Sequence, residues 1–249
     1  MKPNFLGTAV KRVAMSVMVF FVSSLLLGVM AQTAIPTLKT VTVEAEVSGK
    51  SRVSIKYKQI ENSAGNSVWA QINREIVSRI VSNSGATSMR SYAKLVAKEY
   101  AEEYGYYTQE YGYSTYMHIE QSASIVRNKT ILCIETNEEF YTGGAHGMYG
   151  QDVDCYNLAT GQRYDLSYLS TGNWVISLRQ LLYIKCREKL GELLHVTADK
   201  IEVPTVAKLT SRGVAFIFQP YEVASFSEGI IEVEVTDAEL RSIGVPIKW

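Results

Sequence analysis

The sequence predicts an α+β fold in which mainly antiparallel sheets pack against two or three helices. Hydrophobic residues make up 47% of the 249-residue chain and charged residues 20%, which fits a globular protein with a real core. Several segments alternate apolar and polar side chains, as half-buried strands do. Between them, apolar residues recur at helical spacing, so the pattern mixes both kinds of element.

The first 31 residues have the pattern of a secretory signal peptide. Three basic residues flank the start of an apolar run at residues 13–30, and small Ala31 stands just before Gln32. We expect cleavage after Ala31 and export to the periplasm, cell surface or medium of a bacterium. The run is close to the length that spans a bilayer, so an uncleaved anchor is the alternative. Membrane attachment is expected only through this segment.

The chain beyond the signal is predicted to have two parts. Residues 32–110 are expected to form an N-terminal α/β subdomain, and residues 111–249 a C-terminal α/β domain. The formal net charge is zero and the pI is about 6.8. A nucleic-acid binder usually carries a basic excess, so no nucleic-acid partner is expected.

The N-terminal part begins with two strands and continues with two helices. Residues 41–47 and 53–57 alternate, and Gly49 marks a turn between them. Asn66 or Ser67 can cap the first helix, which Gly85 is expected to end. Its apolar side is formed by Trp69, Ile72, Ile76 and Ile80. The second helix is expected at residues 88–103.

Tyrosine is unusually dense between residues 100 and 116, where seven tyrosines occur. Tyrosine has a large apolar body and a polar tip, and it is enriched in binding surfaces. The stretch therefore suggests a contact patch for a partner or a glycan ring. The alternative is that about half of these side chains pack on the sheet and the rest border a loop.

The C-terminal part returns to strands around one long helix. Strands are expected at residues 116–125, 130–141, 148–156, 209–219 and 230–235. The helix is expected at residues 173–195, and a short helical turn begins near Thr236 or Asp237. The apolar face of the long helix comprises Trp174, Leu178, Leu181, Leu182, Cys186, Leu190 and Leu193.

Three cysteines follow the signal: Cys133, Cys155 and Cys186. An odd number leaves at least one thiol outside any intrachain bridge. Cys133 and Cys155 are equidistant from residue 144, so a hairpin there would place their sulfurs opposite each other. The pair is predicted either as a disulfide or as two buried thiols on neighbouring strands. No CxxC spacing occurs, so we expect neither a zinc nor a redox site, and no metal or cofactor.

The glycine-rich segment at residues 141–147 is the most informative motif. Its three glycines allow positive φ angles and close backbone approach. His146 within it has three interpretations: a general base or metal ligand with Asp152 and Asp154 nearby in the sequence, a contact to a ligand or partner, or a hydrogen-bonding group that holds the turn. No serine, cysteine or second histidine completes a triad or a metal trio at a suitable spacing.

A second candidate segment follows the strand that ends at Gln219. Pro220 prevents continuation of a central strand, and Tyr221, Glu222 and Glu228 could line a cleft. The alternative is a plain crossover between strands. The candidate binding residues from both segments are Tyr141, Gly143, Gly144, His146, Tyr149, Tyr221 and Glu222.

These motifs, read in order, resemble one known domain family. The segments are residues 141–147, 156–161, 164–166 and 218–224 with Gly229. They resemble the domain in the ectodomain of the lysozyme-sensing anti-sigma factor RsiV, which also stands beside the catalytic domain of PdaC-type peptidoglycan deacetylases. Residues 53–80 are similar to the smaller subdomain that precedes it. Residues 154–158 depart from the family pattern.

The resemblance implies a non-catalytic extracytoplasmic module that recognises a lysozyme-like protein or a cell-wall glycan. We expect neither anti-sigma signalling nor deacetylation, because the sequence leaves little room for the segments that carry them. Two other functions stay open. One is an envelope hydrolase that acts on a glycan or an ester through His146 and Asp152, Glu222 or Glu228; the other is a structural envelope protein.

Overall fold

The computed structural model describes residues 35–249, apart from the side chains of residues 107–109. The predicted signal peptide lies outside the described residues. Residues 35–249 belong to one compact unit. Helices and two sheets occur together in it, so the predicted α+β class is confirmed.

A five-stranded sheet forms the centre of the molecule. Its strands are β1 (Leu38–Val47), β2 (Ser51–Ile60), β3 (Thr115–Val126), β4 (Ile131–Tyr141) and β5 (Met148–Asn157). They lie in chain order and pair antiparallel, except that β2 and β3 pair parallel. A parallel connection requires a crossover, and the helices between β2 and β3 supply it.

Three helices form this crossover: α1 (Ser67–Val81), α2 (Met89–Glu103) and α3 (Gly105–Tyr111). The side chain of Asn66 accepts hydrogen bonds from two backbone N–H groups at the start of α1, and Ser88 forms a capping box at the start of α2. Gly85 does not end α1, contrary to the prediction, because the helix already stops at Val81. Gly85 instead has a φ of 73° in the α1–α2 loop.

The short helix α3 was not predicted, and it lies inside the tyrosine-rich stretch. The predicted boundary between residues 110 and 111 falls at its end. The parallel pairing of β2 with β3 joins the segments before and after that point in one sheet. The division into two subdomains stays a prediction.

A second, three-stranded sheet contains β6 (Val206–Leu209), β7 (Gly213–Phe218) and β8 (Ile231–Thr236) in antiparallel order. The strand predicted at residues 209–219 is confirmed as β7, but it begins only at Gly213, and β6 was not predicted. A turn at residues 210–212 separates β6 from β7, since the Thr210 hydroxyl accepts hydrogen bonds from the N–H groups of Arg212 and Gly213. The remaining helices are α4 (Val175–Leu190) and α5 (Asp237–Ser242).

Helix α4 is shorter than predicted at both ends. Gly191, with a φ of 57°, ends it, and Leu193 beyond it is half exposed instead of forming part of the apolar face. The buried side of α4 consists of Leu178, Leu182, Cys186 and Leu190, as the spacing predicts. The side chain of Thr236 caps α5 in a second capping box.

Two hydrophobic cores lie on opposite faces of the five-stranded sheet. The first packs α1 and α2 against one face and includes Val53, Ile55, Ile72 and Ile76. The second packs the three-stranded sheet and α4 against one end of the other face, around Cys133 and Cys155. Among the described residues, no helix is both long and apolar enough to cross a membrane.

Candidate functional site

The second face of the five-stranded sheet is covered at one end only. The three-stranded sheet packs on the first residues of β4, 131–135, and on the last residues of β5, 153–157. Towards the β4–β5 turn the three-stranded sheet and α4 leave the same face uncovered, and only the segment at residues 219–229 reaches it, along β5. We call this region the open face; its side chains come from Arg52, Lys56, Tyr116, His118, Glu139, Tyr141, Tyr149 and Gln151.

The glycine-rich turn at residues 142–147 connects β4 to β5 at the edge of the open face. Gly143 and Gly144 have φ angles of 110° and 99°, which L side chains rarely adopt. The Tyr141 hydroxyl donates a hydrogen bond to the Gly144 carbonyl (2.9 Å). His146 is exposed, and its Nδ1 lies 2.8 Å from the Gly147 carbonyl oxygen. The turn is thus held by its own side chains.

The crossover at residues 219–229 meets this turn through Phe226. The Phe226 ring lies 4.6 Å from the ring of His146, 4.9 Å from Tyr149 and 5.5 Å from Tyr221, measured between centroids. The Tyr149 hydroxyl also donates a hydrogen bond to the Phe226 carbonyl (3.0 Å). The two segments that the sequence singles out are therefore neighbours. We call these four side chains the aromatic cluster.

Gln219 fixes the crossover against β5. Its side-chain amide accepts a hydrogen bond from the Gln151 N–H (3.0 Å) and donates one to the Gln151 carbonyl (2.9 Å). The Gln219 amide therefore makes the two backbone hydrogen bonds at Gln151 that a neighbouring strand would make at this edge of the sheet. Glu222 accepts a hydrogen bond from the Gln219 N–H (2.7 Å), so its carboxylate holds the turn at Pro220.

Tyr221 is an outlier within the cluster. It has a φ of 73°, although it is neither glycine nor asparagine, and 62% of its surface is exposed. A bulky residue in the left-handed region costs free energy, and such strain concentrates at functional sites. An exposed aromatic ring in a strained turn contributes little to the core.

A row of tyrosines continues the surface on the other side of the turn. The rings of Tyr111 and Tyr113 stack at 6.5 Å, Tyr113 contacts Tyr141 edge-on at 6.3 Å, and Tyr141 stacks on Tyr116 at 5.8 Å. The Tyr116 hydroxyl donates to the Glu139 carboxylate (2.7 Å), which raises the pKa of Tyr116. Part of the tyrosine-rich stretch thus lies beside the candidate site.

Other tyrosines of the stretch pack inward, as the alternative interpretation expects. Tyr100 contacts Tyr104 edge-on at 5.8 Å, and burial, followed by the nearby Glu138 charge, raises the pKa of Tyr100 to about 12. Tyr100 also packs against the helix-facing core. The stretch therefore serves both the core and the surface.

The two carboxylates that follow His146 most closely in the sequence, Asp152 and Asp154, pair with arginines instead. Asp152 lies on the helix-facing side of β5, where it forms an ion pair with Arg79 (3.0 Å). Asp154 on the same side is bound by Arg79 (3.0 Å) and Arg163 (3.2 Å). Within residues 35–249, no contact joins His146 to a carboxylate, and no group of three or more potential ligands could hold a metal ion.

A groove of about 490 Å³ lies at the far side of the open face, over β2 and β3. The residues that line the groove include the acidic Glu44, the basic Arg52 and Lys56, and the rings of Tyr116 and His118. Arg52 and Glu44 form an exposed ion pair across the strands (3.5 Å). The groove was not predicted, because it depends on the parallel pairing of β2 with β3.

Phe226 and Gln219 are the site residues that sequence analysis missed as such. Both lie in the crossover segment that was singled out, but neither belongs to an active-site motif. For Phe226 the only available signal was that an aromatic residue lies in the segment after Pro220. Gln219 lies in the segment 218–224 that carries the family resemblance, but its role could not be predicted, since it comes from the distance between Gln219 and the edge of β5.

Comparison with known proteins places two family matches on this fold. Residues 45–149 match the family described as deacetylase PdaC, and residues 183–237 match the protein of unknown function DUF3298. None of the curated proteins matches the chain.

Solved structures share the arrangement. A DUF3298-family member from Bacteroides fragilis has a TM-score of 0.68 at 19% identity, covering 84% of this chain and 93% of that one. A DUF3298-family protein from Pseudomonas aeruginosa has a TM-score of 0.55 at 13% identity, covering 84% and 94%. At these identities the likeness concerns the fold. The chain thus has one segment similar to the PdaC family and one similar to the DUF3298 family, on a fold that solved DUF3298 proteins share.

Proposed function

We propose that this protein is an exported, non-catalytic binding module that holds a lysozyme-like protein partner through its aromatic cluster. One observation carries the proposal: Phe226 brings His146, Tyr149 and Tyr221 together at an exposed edge of the sheet. Aromatic residues are enriched at the centres of protein interfaces, where large rings bury much surface with little loss of side-chain entropy.

The cluster is organised before any partner arrives. Gln219 and Glu222 fix the crossover by hydrogen bonds, and the Tyr149 hydroxyl ties the two segments together. A rigid surface loses less conformational entropy on binding than a flexible one. The resemblance to the lysozyme-sensing ectodomain supports a lysozyme-like partner, whereas the family matches, to the deacetylase PdaC family and to a family of unknown function, name no partner.

The test is titration of the purified protein with lysozyme by calorimetry. We expect Tyr221→Ala to weaken binding at least about tenfold, as truncation of an interface aromatic commonly does. Ile176→Ala is the matched control, because Ile176 is 72% exposed on α4 and lies outside the cluster. Equal affinity of the Tyr221 variant and the control would contradict the assignment of the surface. Absence of lysozyme binding by the unaltered protein would contradict the choice of partner.

A cell-wall glycan is a second candidate partner, favoured by the groove on the open face. A sugar ring needs polar groups for its hydroxyls and an apolar platform for its face. Arg52, Lys56 and Tyr116 offer both in that groove. Titration with peptidoglycan fragments distinguishes the candidates, because Tyr116→Ala should then reduce affinity while Tyr221→Ala should not.

The hydrolase alternative would require an acid–base pair at His146, and the geometry provides none with Asp152. Its direct test is turnover of glycan and ester substrates by the unaltered protein and by His146→Ala. Turnover that disappears in the variant would overturn a non-catalytic function. Absence of both turnover and binding would favour a structural envelope protein.

A further inference from the structure

The strongest feature that the proposed function leaves unused is the pair of cysteines between the two sheets. Cys133 on β4 and Cys155 on β5 are directly opposite each other in the strand register. Their exposed fractions are 0% and 3%, and both are free thiols in the structure. Opposed side chains in an antiparallel pair point to the same face, so both sulfurs face the three-stranded sheet.

The hydrogen-bond pattern shows which kind of opposed pair this is. The Leu158 N–H donates to the Thr130 carbonyl (2.9 Å), a bond that lies just outside the pair Ile131–Asn157. That pair is therefore non-hydrogen-bonded. Since the two kinds alternate along an antiparallel ladder, the pair Cys133–Cys155, two positions further on, is also non-hydrogen-bonded.

An independent contact gives the same result. The Cys155 carbonyl accepts a hydrogen bond from the Tyr164 N–H (2.8 Å), on the side of β5 that faces away from β4. At non-hydrogen-bonded pairs the Cα atoms are about 4.5 Å apart, which lies within the range that disulfides span. A bridge here needs no movement of either strand.

We propose that Cys133 and Cys155 form a cross-strand disulfide that ties the base of the β4–β5 hairpin together. Two S–H bonds break and one S–S bond forms. Two electrons and two protons pass to a small-molecule disulfide oxidant, which is reduced to two thiols. The bridge closes residues 134–154 into a loop that includes the glycine-rich turn. This inference is independent of the proposed function, because it concerns no ligand.

The surroundings determine when the bridge forms. The Cys133 thiol donates a hydrogen bond to the Leu209 carbonyl (3.4 Å), and the Leu209 N–H donates to the Cys155 sulfur (3.4 Å). The contact with Cys155, together with burial, raises the pKa of Cys133, so little thiolate is present. Thiolate is the reacting species, and the folded protein shields it. The bridge therefore forms during folding, before the second sheet covers the pair.

Cys186 is not part of the pair. It lies on α4 and is fully buried, and burial raises the pKa of its thiol to about 11. It belongs to the same hydrophobic core but not to the strand register. It therefore remains a thiol and provides an internal control.

The test is oxidative refolding of the purified, reduced protein with oxidised and reduced glutathione. After refolding, the protein is denatured, free thiols are blocked with a maleimide, and peptides are mapped by mass spectrometry. We expect blocking at Cys186 alone and a cross-linked peptide pair containing Cys133 and Cys155. Three blocked cysteines, or a link that includes Cys186, would overturn the proposal.

Two variants and a stability measurement sharpen the test. Cys186→Ala should leave no reactive thiol, whereas Cys133→Ala should leave both remaining thiols reactive. In urea, the unfolding equilibrium constant of the oxidised protein should be about a hundredfold lower than that of the reduced protein, as expected for a loop of this length. An oxidised form no more stable than the reduced form would overturn the stabilising role of the bridge.

Discussion

The two ends of the β4–β5 hairpin have the same strand pairing and opposite surroundings. At the base, Ile131, Cys133 and Cys155 are almost completely buried between the two sheets. At the tip, Tyr141 and Tyr149 extend from the same sheet face and remain partly exposed. The register is unbroken from one end to the other. The difference therefore comes from what covers the strands, not from the strands themselves.

This contrast separates stability from recognition within one hairpin. The three-stranded sheet and α4 cover only the base, so side chains there are selected by size and packing. At the tip only the crossover around Phe226 reaches the hairpin, which leaves aromatic rings available to a partner. We expect substitutions at the base to change the free energy of unfolding, and substitutions at the tip to change binding.

The largest effect should come from the central strand that covers the base. Phe216 on β7 is fully buried in the second core. Phe216→Ala should lower the free energy of unfolding by about 3–5 kcal/mol, because it removes apolar contacts and leaves a cavity. Urea unfolding followed by circular dichroism measures the change. Met148→Ala at the tip is the control, expected within about 0.5 kcal/mol because Met148 is 40% exposed. Similar losses in both variants would break the contrast.

An ion pair joins the five-stranded sheet to helix α5 near the base of the hairpin. Arg127, in the β3–β4 turn, donates to Asp237 at the start of α5 (2.9 Å) and to the Gly213 carbonyl (2.9 Å). The hydrogen bond from Arg127 holds the pKa of Asp237 below its usual range. Asp237→Asn should therefore cost about 1–3 kcal/mol at neutral pH, since it leaves a largely buried guanidinium without its charged partner.

The same pair predicts a pH dependence. A lowered carboxyl pKa contributes stability that is present above the unfolded value of about 3.9 and is lost as the pH falls through the lowered value. Between about pH 6 and about pH 2, the unaltered protein should lose more free energy of unfolding than Asp237→Asn does. Urea titrations at both pH values measure this. Parallel losses would show that the ion pair does not stabilise the base.

The fold could be predicted from the sequence only where an element depends on its own residues. Alternation and helical spacing identified β1, β2 and the buried side of α4, because each depends on neighbours within its own segment. The division between β6 and β7 depends on a single threonine that holds a tight turn, and the predicted strand ran through this turn although residues 210–212 are polar. Local patterns therefore predicted elements better than their ends.

For the candidate site, too, some residues could be predicted from the sequence and others could not. His146, Tyr149 and Tyr221 were singled out from two separate segments, and the structure brings them together. Their common neighbour Phe226 was missed as a site residue, because only the packing of the crossover on β5 gives it that position. Asp152 is close to His146 along the chain. Strand alternation places it on the opposite face, against Arg79.

A smaller effect is expected at the turn itself. A Cβ atom at residue 147 would lie 2.8 Å from the Phe140 carbonyl oxygen, closer than real Cβ atoms approach. Gly147→Ala should cost about 1–2 kcal/mol, the lower part of the range for a forced backbone shift, because the turn is exposed. It should also reduce partner binding, since a shift at residue 147 changes the position of the neighbouring His146 relative to Phe226. Unchanged binding with reduced stability would separate the turn from the recognition surface.

The smallest expected effect on stability tests whether strain at the tip has been retained for binding. Tyr221→Gly removes the left-handed strain, worth about 1–2 kcal/mol, but adds about 0.5–1 kcal/mol of backbone entropy to the unfolded chain. Tyr221→Ala removes the same ring and keeps the strain, so it is the matched control. We expect the glycine variant to be more stable than the alanine variant by up to about 1 kcal/mol in urea unfolding, and both to lose binding equally. A glycine variant less stable than the alanine variant would mean that the φ of 73° costs the fold less than the backbone entropy that glycine adds, and the structural reason for assigning Tyr221 to recognition would then be lost.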